Sequence, residues 1–403
     1  MRPNIYLDYA ATTPVDSKVL EAMTPYFSQT FGNPSSLHSA GQVARQATDK
    51  ARRTMAEFLG ASPREIIFTS GGTESDNLAL FGIAHAYRAM GNEILVSAIE
   101  HEAVLEPANA LKKQNFKIKY LPVDRDGILK LDKLEAALTP ETLMVSLMMA
   151  NNEVGTIQPV RGAADLLRAF KKSLSRGPLD PPFLHTDACQ AAGALDLNVN
   201  ELGVDLLTFN GSKMYGPKGI GALYVRDGIK LETQIYGGGQ ERHRRSGTEN
   251  VPAIIGLAKA LELAETHRAT ESTRLTQMRN TFISRVLTEL PDVVLTGHPI
   301  HRLPGSASFI IKGVESEILL MRLDEKGIYA SAGSACTSGK TDPSHVLLAM
   351  GFSKQEARTS VRFSLGRATT QSDLDQVIED FVQVVKEIRS ESGLIPSGIL
   401  HPR

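Results

Sequence analysis

Cysteine is scarce in this 403-residue chain, which holds only Cys189 and Cys336. Two thiols cannot build a disulfide framework, nor a cysteine-rich zinc or iron–sulfur site within one subunit, so any important thiol must act alone. Long apolar runs are missing as well. The longest, LMVSLMMA at 143–150, falls far short of the ~18–20 residues that span a bilayer. The N-terminal stretch MRPNIYLDYAATTP has no apolar run of signal-peptide length, so the cytoplasm is the expected compartment and no membrane partner is expected. A charge excess is also lacking. Lys+Arg 44 against Asp+Glu 45 gives a net charge of −1, which removes the electrostatic footprint of a dedicated nucleic-acid binder. With 42% hydrophobic and 22% charged residues the composition is that of a soluble globular protein. The length corresponds to roughly two to four domains, with two as the working number.

From about residue 47 periodic amphipathic stretches alternate with short β-branched or apolar runs. The candidate strands are IIFT at 66–69, EILVSA at 93–98, KIKYLPV at 117–123, TLMVSLMM at 142–149, FLHTDA at 183–188, VDLLTFN at 204–210 and GALYVR at 221–226. Helical patterns lie near 74–90, 103–115, 131–138 and 161–175. Such alternation predicts an α/β fold with a large, mostly parallel, doubly wound sheet covered on both faces. After a long helical pattern from about Pro252 to Leu290 the character changes. SASFIIKG at 306–313, IYASAG at 328–333 and SVRFSLG at 360–366 read as strands of a smaller α+β domain. The final residues, SGLIPSGILHPR, read as a loosely held tail.

Three common assignments fail. The pairs Gly219/Gly221 and Gly237/Gly239 would each need a third glycine for a dinucleotide fingerprint, where Tyr224 and Arg242 stand. The pair His101 and Glu102 would need a second histidine where Leu105 stands to form a zinc-binding helix. His298 and His301 flank Pro299 and read as a solvated loop. No metal site is expected.

Three strand ends carry chemistry. IIFT runs into SGGTESDNLAL, where Ser70, Gly71, Gly72 and Thr73 precede a helix; backbone N–H groups and the positive helix end suit a phosphate there. An ordinary helix cap by Thr73 is the alternative. A second strand ends in HTDACQ, which puts Asp187 and Gln190 on the ligand side of an open α/β sheet. A third ends in NGSKMYGPKGIG, with Lys213 in a polar, glycine-rich turn. A phosphate cradle, a strand-end aspartate and a turn lysine form the set a pyridoxal phosphate (PLP) enzyme needs. The lysine forms the Schiff base and the carboxylate keeps the pyridine nitrogen protonated.

The sequence also resembles the cysteine desulfurases of the NifS/IscS type, within the class V aminotransferases of PLP fold type I. The stretches that carry the resemblance are YLDYAATTP, FGNPSS, FTSGGTESDNLAL, EHEAVL, NNEVG, HTDACQ, KMYGPKGIGALYV, GGGQE, RSGTEN, SACTSG and VRFSLGR, in order from Tyr6 to Arg367. The resemblance implies that Lys213 holds PLP and later moves the substrate Cα proton, and that Asp187 pairs with the pyridine nitrogen. Gln190 and Asn152 would contact the ring hydroxyl side, and His101 would stack on the ring and serve in proton transfer. Gly72, Thr73, Ser212 and Asn210 would hold the phosphate, joined by Thr248 from the second subunit of a homodimer. Arg362 would grip the substrate carboxylate, for which its planar fork is suited. The implied domains are 16–260 for the large PLP-binding domain, with 1–15 and 261–403 forming the small one. One departure stands beside the lysine: many relatives read Ser-Gly-His-Lys or Ser-Ala-His-Lys where this chain has Asn210, Gly211, Ser212 and Lys213.

Cys336 lies in SAGSACTSGKTDPSH, a run of small and polar residues that reads as a mobile loop at about 332–346. Such a thiol, once ionised, can attack a substrate sulfur and carry it away. Cys189, just past an apolar strand, is expected to be structural. The run Arg242, His243, Arg244 and Arg245 is the one dense basic cluster. It reads as a solvated face or subunit contact, or as a dock for an acidic partner. The resemblance implies conversion of L-cysteine to L-alanine, with sulfur passed through a Cys336 persulfide to an acceptor such as an iron–sulfur scaffold or a tRNA-thiolation protein. A selenocysteine lyase, another class V reaction, or a non-catalytic sulfur scaffold are the alternatives.

Overall fold

The computed structural model describes residues 4–333 and 343–391. Its centre is a seven-stranded sheet in the order β2-β8-β7-β6-β5-β3-β4. The strands are β2 (Ile66–Thr69), β3 (Glu93–Ser97), β4 (Lys117–Leu121), β5 (Thr142–Ser146), β6 (Phe183–Asp187), β7 (Leu206–Asn210) and β8 (Gly221–Val225). Only β8 runs against its neighbours; the pairings β7/β6, β6/β5, β5/β3 and β3/β4 are parallel. Helices cover both faces, so the inner strands are buried along their whole length. At the edge, β4 exposes Lys117 and Tyr120, and Lys119 pairs with Glu93 at 2.6 Å. Lysines on an edge strand discourage pairing with another sheet.

A second, antiparallel sheet joins β9 (Val293–Leu295), β10 (Ser306–Ile311) and β12 (Ser360–Ser364). Its core is aromatic: Phe363 packs edge-on against Phe282 and Phe381, with ring centroids 5.2 Å apart in both pairs. The N-terminal β1 (Ile5–Tyr6) pairs in parallel with β11 (Ile328–Tyr329), which brings Ile5 and Leu7 into this second core.

One helix, Val251–Glu289, serves both cores. Ile254, Leu257 and Leu261 pack under the large sheet, and Phe282, Ile283 and Val286 pack under the small one. The run 328–333 differs from its expected strand. Only Ile328–Tyr329 pair as a strand, because the partner β1 is two residues long. Ser331 instead bridges to Arg362, by bonds of 2.7 and 3.1 Å between their backbones.

Candidate active site

The parallel strands all point their C-terminal ends the same way, and each end delivers part of one site. After β2 the chain turns through Gly71 into the helix Gly72–Ala86. After β3 it reaches His101, and after β5 it reaches Asn152. β6 ends on Asp187, and β7 ends on Asn210 and turns through Gly211–Lys213. Gly72, Thr73, His101, Asn152, Asp187, Gln190, Asn210, Ser212, Lys213 and Arg362 all line a single cavity of about 260 Å³.

Local bonds fix these groups. The Lys213 ammonium donates to the carbonyls of Ala10 at 2.9 Å and Ala11 at 2.6 Å. Gln190 Nε2 donates to the Ala10 carbonyl at 3.0 Å, so the N-terminal segment forms one wall. Asp187 Oδ1 accepts from the Cys189 backbone N–H at 2.8 Å. Arg362 is buried, with Nη1 donating to the Asn152 carbonyl at 2.8 Å and Nη2 to Asp8 Oδ1 at 2.7 Å. His101 is the N-cap of the helix Glu102–Lys112, where Nδ1 accepts from the Ala103 N–H at 3.0 Å. That bond assigns the proton of the neutral ring to Nε2.

At the end of the cavity near Gly72, close approach requires the absence of a side chain. A Cβ on Gly72 would stand 2.7 Å from Cys189 Sγ and 3.2 Å from Asn210 Nδ2. No side chain caps the first N–H groups of this helix. Cys189 is buried, as expected of a structural residue, and it also lines the cavity. Burial, with the Asp187 and Asp76 carboxyls adding, pushes its thiol well above the usual range, so it stays protonated at neutral pH.

Thr248 is exposed and is not among the residues lining this cavity. Cys336 lies outside the described residues, although Gly333, three positions before it, lines the cavity. The basic run is less free than a docking patch requires. Arg242 donates to the carbonyls of Arg64 and Pro63 at 3.0 and 3.3 Å, and Arg245 forks onto Glu74 at 2.8 and 3.2 Å. Among the described residues no group of three or more histidine, cysteine, aspartate or glutamate side chains is placed to hold a metal. His298 Nδ1 instead accepts from the N–H groups of Ile300 and His301, closing a turn. Nor, among the described residues, is any helix long and apolar enough to cross a membrane.

The sequence model of the aminotransferase class-V family matches residues 5–377. The chain belongs to that family. It is 45% identical to a cysteine desulfurase IscS of Dictyoglomus turgidum over 97% of each chain. A solved NifS-like protein superposes with a TM-score of 0.87 at 36% identity, covering 95% of this chain and 100% of that one. A structure titled SspA in complex with cysteine superposes at 0.77, also 36% identical, covering 90% of this chain and 98% of that one.

This member of the family places further groups at the site that the sequence reading did not single out. Asp76 follows Gly72 by one helical turn and so faces the same cavity. It is fully buried; burial first, then Asp187, pushes its carboxyl well above the usual range. Neither oxygen makes a well-formed hydrogen bond, and His185 Nε2 stands 3.4 Å away. Burial drives His185 down to about 3, so the imidazole is neutral. Glu153, next to Asn152, is 4% exposed and pushed up to about 7 by burial. The helical spacing could have flagged Asp76. No local pattern marks Glu153.

Proposed function

We propose that the protein is a homodimeric cysteine desulfurase that binds PLP, converts L-cysteine to L-alanine and carries the sulfur as a persulfide on Cys336. The observation that carries this reading is the convergence of an amine, a carboxylate, a helix N-terminus and a buried arginine on one cavity. The lining residues fit the cofactor. The side-chain-free surface at Gly72 and the uncapped helix N–H groups suit a phosphate, and Thr73, Asn210 and Ser212 add polar donors. Asp187 suits a protonated pyridine nitrogen at the other end, with Gln190 and Asn152 beside the ring hydroxyl. Ser212, in place of the histidine many relatives carry, still offers a donor. Thr248 of the partner subunit would complete the phosphate site.

When bound, PLP supplies an electron sink for negative charge developing on the substrate carbons. Lys213 would hold the cofactor and would accept the proton from the substrate Cα. Arg362 orients the substrate carboxylate. His101, with its proton on Nε2, is oriented by its capping bond to exchange a proton on the ring face. Cys336 as thiolate attacks the substrate sulfur. An S–S bond forms, the Cβ–S bond breaks with its electron pair left on the substrate, and that carbon is protonated to the methyl group of alanine. Thiol plus cysteine thus become persulfide plus alanine, with no outside oxidant.

The chain reads as two domains, 16–260 holding most of the cofactor pocket, with 1–15 and 261–403 as the second. The reading extends to a cytoplasmic protein that passes sulfur to an acceptor of iron–sulfur assembly or thiolation. Mass spectrometry after incubation with L-cysteine tests it. Sulfur should be added to the Cys336 peptide and alanine should accumulate. Cys336→Ser should abolish both while the visible absorption of the bound cofactor persists. A keto acid product, or full activity of that variant, would overturn the reading.

A further inference from the structure

Segment 334–342 has two stems, and a single buried oxygen meets both. The Ser344 hydroxyl donates a short hydrogen bond to Glu153 Oε2. On the other stem, a Cβ added to Gly333 would stand 2.5 Å from that same oxygen, so the backbone there lies directly against the carboxyl. Ser344 is fully used: its oxygen also accepts from the Leu347 N–H at 3.2 Å, capping the helix His345–Ala349.

Glu153 is itself rigidly held. Its backbone N–H donates to Asn151 Oδ1 at 2.8 Å, and Asn151 Nδ2 donates to the Ile99 carbonyl at 2.9 Å. Its neighbour Asn152 receives Arg362 Nη1, and the Arg362 backbone pairs in both directions with Ser331 on the first stem. Ser344 bonds to its carboxyl, and the charges of Arg362, His101 and Glu102 act on it. Nothing in the proposed chemistry consumes this side chain, yet at the rim of the cavity it meets two stems that are both far from it in sequence.

We propose that Glu153 is a positioning residue whose carboxyl clasps the stems at Gly333 and Ser344 to the loop carrying Asn152, fixing the base from which Cys336 meets the substrate. The inference rests on the desulfurase reading for its consequence, but the clasp itself can be tested without turnover. Hydrogen–deuterium exchange of the PLP-loaded, full-length protein reads both stems directly. Glu153→Ala and Ser344→Ala should speed exchange in peptides ending at Gly333 and in those beginning at Pro343, by about ten-fold or more. Glu153→Gln, which can still accept from Ser344, should recover most of the protection. In single-turnover mixing with cysteine, Glu153→Ala should slow persulfide formation on Cys336 about ten-fold, with the cofactor's spectral response to cysteine and the KM little changed. Parent-like exchange at both stems in Glu153→Ala would overturn the clasp. So would a glutamine variant no better protected than the alanine one. Absence of any persulfide in the parent would instead overturn the desulfurase reading, while exchange still decides the clasp.

Discussion

His101 uses its two ring nitrogens for different ends. Nδ1 caps a helix by accepting from Ala103, which leaves the proton of the neutral ring on Nε2, and the residue lines the cavity. The cap and the proposed role in proton transfer are therefore separable. Asparagine is as good an N-cap as any residue and alanine is a poor one, a difference of about 1 kcal/mol. His101→Asn should keep the melting temperature near the parent's while losing most desulfurase activity, and His101→Ala should lose both; thermal melting beside alanine production checks it. Glu153 makes a prediction in pH. Burial raises its carboxyl from 4.5 to about 7 in the folded protein, with Ser344, Arg362 and His101 opposing the rise and Glu102 adding to it. Between those values the native state keeps a proton that the unfolded chain has released. Its contribution to stability is therefore lost as pH climbs through that window, by up to about 3 kcal/mol, and is flat above it. Glu153→Gln removes this one dependence. Melting curves from pH 5 to 8 should fall less steeply for the variant than for the parent, and parallel curves would contradict the burial argument.

At the scale of elements, what could be read and what could not follows from how each segment is buried. IIFT and FLHTD declared themselves because both faces of their sheet are covered and every residue of the two strands is buried. KIKYLPV stops at Leu121, since Pro122 has no N–H to continue the ladder. The helix Ser39–Leu59 was not recognised because its inward face is built from Ala44, Thr48, Ala51 and Arg52, small or polar residues that blur the hydrophobic period. Arg52 is buried because it forks onto Glu241 at 2.6 and 2.7 Å and lies 4.3 Å from the centroid of Phe68. Glu241 in turn accepts from the Phe68 N–H at 3.1 Å. This pair ties the helix, β2 and the segment before Thr248 together, and no spacing in the sequence announces a bond across that distance. Most of the residues that line the cavity were legible because they sit just beyond strand ends with distinctive neighbours. The Glu153–Ser344 contact was not, for the same reason as Arg52–Glu241. Arg52→Ala leaves Glu241 buried without its cation, which costs about 3–5 kcal/mol. Urea unfolding should show a loss of that size, and a change below about 1 kcal/mol would mean that the pair is dispensable.

For the whole molecule, the question is what covers its exposed apolar side chains. Leu37 is 91% exposed, Phe31 75% and Phe27 62%, and Leu20 and Val43 are also exposed, all within one short stretch of chain. Tyr236, 74% exposed, lies in the segment that leads to Thr248. Single exposed apolar residues are ordinary, but several large ones in one stretch mark a surface that binds something. A second copy of the chain is the occupant that also explains Thr248, which is exposed here and yet belongs to the motif expected to hold phosphate. If the two features share a cause, disrupting the apolar stretch should damage a cofactor site that it does not line. Phe31→Glu and Leu37→Glu should shift the protein from dimer to monomer in sedimentation equilibrium. The same variants should weaken PLP retention about ten-fold or more on dilution, although Lys213, Asp187 and the helix Gly72–Ala86 are untouched. Variants that stay dimeric would remove this stretch from the interface. Monomers that retain PLP as tightly as the parent would show that each cofactor site is complete within one chain, and Thr248 would then have no part in holding the phosphate.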